Sequence, residues 1–213
     1  MEFADAVRRR RMVRQYDPDR PVARERIAAI LDLATRAPSA GFSQGWHFLV
    51  LDGAADRDAF WTATSGARPP DAWLDHMRTA PVLIIPMSDK SAYLSRYAQP
   101  DKAGSTSATP ASGTDDGQWP SPYWDIDTGM ASVIALLAAV DDGLGGCFFG
   151  IPGERLAEVH RAFAVPERLT PIGVIALGYE ADYAPRQPAR KRRGLDKVVT
   201  WGRFAPPDED AEG

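Results

Sequence analysis

The chain has 213 residues, 44% hydrophobic and 25% charged, which is ordinary for a soluble globular protein and ample for a core. A formal net charge of -4 works against nucleic acid and anionic membrane as partners. The single cysteine, Cys147, excludes an internal disulfide, and no Cys/His cluster has metal-ligand spacing.

Phe3, Ala6, Val7 and Arg10 follow helical spacing, so a short first helix carries a basic cluster near its C-terminal end. Five of the seven residues from Arg8 to Arg14 are arginine. "DPDRP", Asp17 to Pro21, breaks this helix. A second follows, with Ile27, Ile30, Leu31 and Ala34 as its apolar stripe, and Pro38 stops it. "APSAGFSQGW" is a loop of small and turn-forming residues that leads into "HFLVL", a buried strand. Helices are expected around Ala55 to Thr62 and Asp71 to Arg78, then a strand at "PVLIIPM" and a short helix from Lys90 to Tyr97.

From Ala98 to Pro122 the composition turns to Gly, Ser, Thr, Pro and polar residues, too polar to pack a core. Such a stretch reads either as a disordered insertion or as a lid that orders over substrate. The longest helix should run from about Ile126 to Asp142, with Asp125 or Asp127 as N-cap and Gly143 ending it. It is apolar on nearly every side, as a central core helix would be. "GLGGCFFGIP" is then a turn and strand, Glu154 to Phe163 a helix, and "PIGVIALGY" one strand. "VVTW", Val198 to Trp201, can add a short strand elsewhere. With no repeat and no linker, the order argues for a single α+β domain over 1–213 with a flexible insertion at about 98–122. The apolar run Met130 to Val140 falls short of the roughly 20 residues that span a bilayer. Glu2 and Asp5 precede the basic cluster and no apolar signal core follows it, so a cytoplasmic protein is expected.

Arg190, Lys191, Arg192 and Arg193 form a second basic cluster, and the two hold nine of the 25 Lys plus Arg. Either they are solvated basic faces or a localisation-like tract, or the chain ends meet around a small anion such as a phosphate. Arginine suits the second task, because its planar fork grips two phosphate oxygens at once. The remaining 16 cations against 29 acids leave little support for a polyanion.

"RRMVRQYDPDRPV", a helix, and "APSAGFSQGWHFLVL" resemble the N-terminal signature of the FMN-dependent nitroreductase family. "GLGGCFFGIP" after a long helix and "LGYEADYAPRQPARKRRGLDKVV" resemble its later elements, so the likeness covers the chain except the insertion. It implies a nitroreductase-like α+β fold: a central mixed or antiparallel sheet surrounded by helices, a long core helix, and a C-terminal tail extending onto the partner subunit of a homodimer. It also implies FMN at the interface. Arg10, Arg11 and Met12 would line the flavin, with Arg10 at its phosphate, joined there by Lys191 and Arg193. Arg14 would sit near the pyrimidine edge, where a fixed cation stabilises the anion of reduced flavin. Pro38, Ser39, Ala40, Gly41 and Gln44 match the loop facing the ring, and Phe149 and Gly150 the strand end on its N5 side. Three positions depart from the family pattern. Met12 replaces a serine, Phe42 replaces an asparagine and would shape an aromatic-lined substrate space instead, and Gly45 replaces the proline before the tryptophan. No residue from Trp73 to His76 matches the family's further pyrimidine contacts.

The activity so implied is transfer of hydride from NADH or NADPH to FMN, then to a nitroaromatic or quinone-like small molecule, by a ping-pong mechanism. Rivals are a flavin oxidase or dehydrogenase of a specialised metabolite, and a protein that only sequesters flavin. His47, His76 and His160 read as structural or surface residues, and Cys147 as an inert buried thiol. "GLGG" follows a helix and precedes a strand, the reverse of a dinucleotide-binding turn. Asp125 and Asp127 read as capping rather than as an acid/base pair. Trp119, Tyr123 and Trp124 either close over the flavin or anchor the end of the insertion.

Overall fold

The computed structural model describes residues 1–66, 71–102, 119, 121–182 and 191–204. Five strands make one sheet: β1 (Trp46–Leu51), β2 (Val82–Asp89), β3 (Gly145–Phe149), β4 (Leu169–Pro171) and β5 (Val174–Gly178). Their order is β1-β2-β5-β3, with β4 on the far end of β2, and every pairing is antiparallel. Side chains alternate across the pleat and divide the core in two. Leu83, Ile85 and Met87 of β2, with Val174 and Ala176 of β5, face one side. Val82 and Ile84, with Ile175 and Leu177, face the other.

Helices cover both faces. Ile27 and Ile30 of α2 (Arg24–Ala34) join Ala135, Leu136 and Ala139 of α6 (Tyr123–Asp141) on the second face. The first face carries α3 (Ala54–Ser65), α4 (Ala72–Met77) and α7 (Leu156–Ala162), through Phe60, Trp61, Leu74, Met77 and Val159. Helix α1 (Phe3–Arg9) packs on α6, but only its Ala6 is buried. Helix α5 (Lys90–Tyr97) directly continues β2, capped by the Asp89 carboxylate on the Ala92 amide.

Four expectations need correction. Helix α6 begins at Tyr123 behind Pro122, so neither Asp125 nor Asp127 is its N-cap. Their carboxylates are drawn off instead, Asp125 by the Ser88 hydroxyl at 2.6 Å and Asp127 by groups described below. Because Tyr123 to Gly129 extends the apolar run, α6 is long and apolar enough to cross a membrane by length and composition, with a mean hydropathy of 1.3. It lies instead against α2 and four strands of the sheet. The segment "PIGVIALGY" is two strands, parted at Ile172 and Gly173. There the Ile172 amide donates to Pro86 of β2 at 3.0 Å, and a side chain on Gly173 would run into the Phe148 ring. Val198 to Trp201 forms no strand; a short 3-10 turn at Leu195–Lys197 precedes this exposed stretch.

Gly143, with φ of +75°, ends α6 as expected, since only glycine takes the left-handed region without steric cost. Most of the expected insertion (103–118 and 120) lies outside the described residues, as does Arg190.

Candidate functional site

The arginine segment is strapped along the outer edge of β3. Met12 forms a parallel bridge with Gly146, and the Val13 amide donates to the Gly146 carbonyl at 3.1 Å. Tyr16 closes the strap from the other side. It bridges Glu180, its amide donates to Thr79 Oγ1 at 2.9 Å, and its buried hydroxyl donates to the Val13 carbonyl at 2.7 Å. Burial raises the Tyr16 phenol well above its usual range, so it remains a proton donor.

Within this frame the cations differ. Arg11 is neutralised by Glu180. Arg10, just past the end of α1, is half-buried, and its Nη1 is buried with no hydrogen-bond partner. A guanidinium N–H shielded from water and left without an acceptor is costly. Arg14 is half-buried, and its positive charge opposes the upward shift that burial imposes on the Cys147 thiol. Met12 turns its sulfur inward, accepting the Phe148 amide at 3.4 Å. The thioether at this departure from the family pattern thus serves the backbone of β3.

The strap leads to the end of β3, where Phe149 stacks on Trp61 with ring centroids 5.8 Å apart and planes 8° from parallel. The edge of Trp73 closes on Phe149 at 5.4 Å. These rings, Asp71 and the exposed Gly150 line a cavity of about 140 Å³. Trp61 Nε1 and Ser65 Oγ, both on the α3 wall, are buried without partners. Phe149 and Gly150 were expected at the site, but the α3 and α4 part of the lining was missed from sequence because it is distant along the chain from β3.

The second group, Pro38 to Gln44, is held elsewhere. The Ala40 amide donates to the Asp127 carboxylate at 2.8 Å, and Arg96 Nε donates to the Gly41 carbonyl at 2.9 Å. Ser39 Oγ accepts the Gln44 amide at 3.0 Å, while Pro38 is exposed. Gly41, Phe42 and Gln44 all have positive φ, +62°, +59° and +50°. Phe42 keeps this disfavoured conformation while 78% exposed. Gly45 is required by packing, because an added Cβ would press into the Tyr93 ring and lie 2.8 Å from the Asp89 carbonyl. Gly45→Ala is therefore expected to destabilise the flavin-free protein by about 2 kcal/mol, lowering Tm by roughly 6 °C in calorimetry.

The loop is tied to helices α6 and α5, through Asp127 and Arg96. Lys191 and Arg193 are exposed, and Arg193 donates to the Lys197 carbonyl at 2.7 Å. Trp119 is buried and ringed by Tyr93, Tyr97, Tyr123 and Trp124, with centroids 5.0 to 6.4 Å away, so it anchors the end of the insertion.

Three comparisons bear on this arrangement. The family described as Nitroreductase family matches residues 7–179. A Methanothermobacter thermautotrophicus protein with the provisional name NADH dehydrogenase/NAD(P)H nitroreductase is 32% identical over 184 residues, covering 85% of this chain and 79% of its own. An NADH dehydrogenase of Thermus thermophilus is 27% identical over 211 residues, covering 94% and 96%. Among solved structures, a provisionally named nitroreductase of Exiguobacterium sibiricum, in complex with FMN, superposes with a TM-score of 0.72 at 21% identity, covering 95% of this chain and 98% of its own.

Proposed function

The chain belongs to the nitroreductase family, and from that premise we propose that it is an FMN-dependent oxidoreductase driven by NADH or NADPH, with a nitroaromatic or quinone-like acceptor. The observation that carries this reading is the buried, unpartnered Nη1 of Arg10. A phosphate oxygen is the acceptor it lacks. The ring-lined cavity at Phe149 and Gly150, with two orphaned donors in its wall, fits an aromatic group that has polar edges. The donor reading is supported by the relatives' names, which refer to NADH and NAD(P)H.

Bound FMN would supply two-electron redox chemistry for a ping-pong exchange between the nicotinamide donor and the acceptor. The chain's own residues bind and orient. Arg10 would hold the phosphate, with Lys191 and Arg193 in support. Arg11, already paired with Glu180, stiffens the strap more than it adds charge. Met12 fixes the strap to β3. Arg14 would provide a fixed cation at the pyrimidine edge. Pro38, Ser39, Ala40, Gly41 and Gln44 would face the ring from a preset loop.

We also propose a cytoplasmic homodimer with its tail on the partner. Support comes from apolar side chains exposed on α1 and α6 (Phe3, Val7, Ile126 and Val133) and on the tail (Leu195, Val198, Trp201 and Phe204). An NAD(P)H donor accords with the cytoplasm.

The visible spectrum of the purified protein tests the cofactor. Flavin bands are expected, with FMN released on denaturation, bleaching under anaerobic NADH or NADPH and recovery on adding menadione. Protein that stays colourless after soaking in excess FMN overturns the reading.

A further inference from the structure

The loop from Ser39 to Gly45 is shaped by two helices outside the residues expected to bind flavin. Asp127 is a carboxylate only 2% exposed, near the start of a mostly apolar helix. Its Oδ2 accepts two donors, the Ala40 amide at 2.8 Å and the Tyr93 hydroxyl at 2.7 Å. Neither donor is a cation. Burying a carboxylate is unfavourable unless hydrogen bonds compensate it, and here one of them comes from the backbone of the candidate cofactor loop. Tyr93 is fully buried, and burial, reinforced by Asp127, pushes its phenol upward, so it stays protonated and donates.

The same helix α5 supplies the rest of the support. Gly45 is seated on the Tyr93 ring, and Gly41 is seated on the Tyr97 ring and tied to Arg96. Between these fixed points, Phe42 and Gln44 adopt left-handed conformations that L residues take only when their surroundings impose them. An amide held by a buried, acceptor-rich group is a means of imposing them.

We propose that Asp127, oriented by Tyr93, is a positioning residue for flavin binding: its carboxylate fixes the Ala40 amide and so presets the loop from Ser39 to Gln44. The inference rests on the flavin reading given above. A site whose supporting contacts are lost binds more weakly even when its contacting groups remain.

The test uses the full chain with Tyr93→Phe, Asp127→Asn and Asp127→Ala. FMN dissociation constants come from the fluorescence of flavin released on dilution, and hydrogen exchange of residues 39–45 is followed in flavin-free protein. Asp127→Ala is expected to weaken FMN binding by about 30-fold and Tyr93→Phe by about 5-fold. Asp127→Asn, which keeps an acceptor oxygen for Ala40, recovers most of the loss. Amides of the loop should exchange at least about ten times faster in Asp127→Ala and Tyr93→Phe, while those of β2 do not change. If Asp127→Ala does not fold, the other two variants decide. Folded Asp127→Ala or Tyr93→Phe protein that binds FMN within twofold of wild type overturns the inference, as does exchange that accelerates equally in β2. If wild type itself takes up no FMN, the flavin reading falls, and loop exchange alone judges the clamp.

Discussion

Replacing Arg10 with alanine is expected to weaken FMN binding by about 100-fold while leaving the flavin-free protein as stable as before, or slightly more so. The two halves of this result have one cause. Charge-assisted hydrogen bonds from a guanidinium to a phosphate contribute about 1.5–3 kcal/mol, and each 1.4 kcal/mol is a factor of ten in affinity. Without the anion, Nη1 of Arg10 is buried and unpartnered, a state that costs about 1–3 kcal/mol. Truncation removes that cost along with some packing of the aliphatic stem. Arg11→Ala is the control. Its guanidinium already meets Glu180, so the loss of FMN affinity should be only about threefold. Flavin titrations and thermal melts with and without FMN give both readouts. Equal effects of the two substitutions would refute the assignment of the phosphate to Arg10.

Arg14→Gln should act on rate more than on affinity. Arg14 lies in a strap whose backbone is held by the Gly146 carbonyl on one side and by Thr79 and Glu180 on the other. Burial raises both the Cys147 thiol and the Tyr16 phenol, and the Arg14 charge opposes each rise. Preorganised charge facing the atoms where negative charge develops is worth roughly 100-fold in rate. Anaerobic stopped-flow mixing with NADH or NADPH is expected to show flavin reduction slowed by about 100-fold, with FMN affinity changed by less than about fivefold. Arg14→Lys, which keeps the charge, should recover most of the rate. A reduction rate within threefold of wild type for Arg14→Gln would mean that the cation does not face the pyrimidine edge.

Periodicity made the helices and long strands legible. Helix α5 has the expected bounds, Lys90–Tyr97, and β1 and β2 lie at "HFLVL" and "PVLIIPM" within a residue or two. The failures were tertiary. Asp127 looked like a helix cap because capping is what an aspartate near a helix start usually does. Its actual partners, Ala40 and Tyr93, lie 87 and 34 positions away in sequence. The split between β4 and β5 depends on Pro86, more than 80 residues earlier. For the candidate site, the sequence offered residue types in family order. It held no sign that Arg11 is neutralised while Arg10 is not, because that difference depends on Glu180 arriving from beyond β5.

Pro86 has a consequence for how the sheet assembles. Its carbonyl points toward the gap between β4 and β5, where it receives the Ile172 amide. The ring nitrogen of a strand residue points the same way and has no proton to give. A slip of β5 along β2 by two positions would keep every side chain on its proper face, so hydrophobic patterning alone does not forbid it. It would, however, bring a carbonyl of β5 opposite a nitrogen with nothing to donate. The proline therefore acts as a stop in the ladder, favouring a single alignment of the two innermost strands during folding.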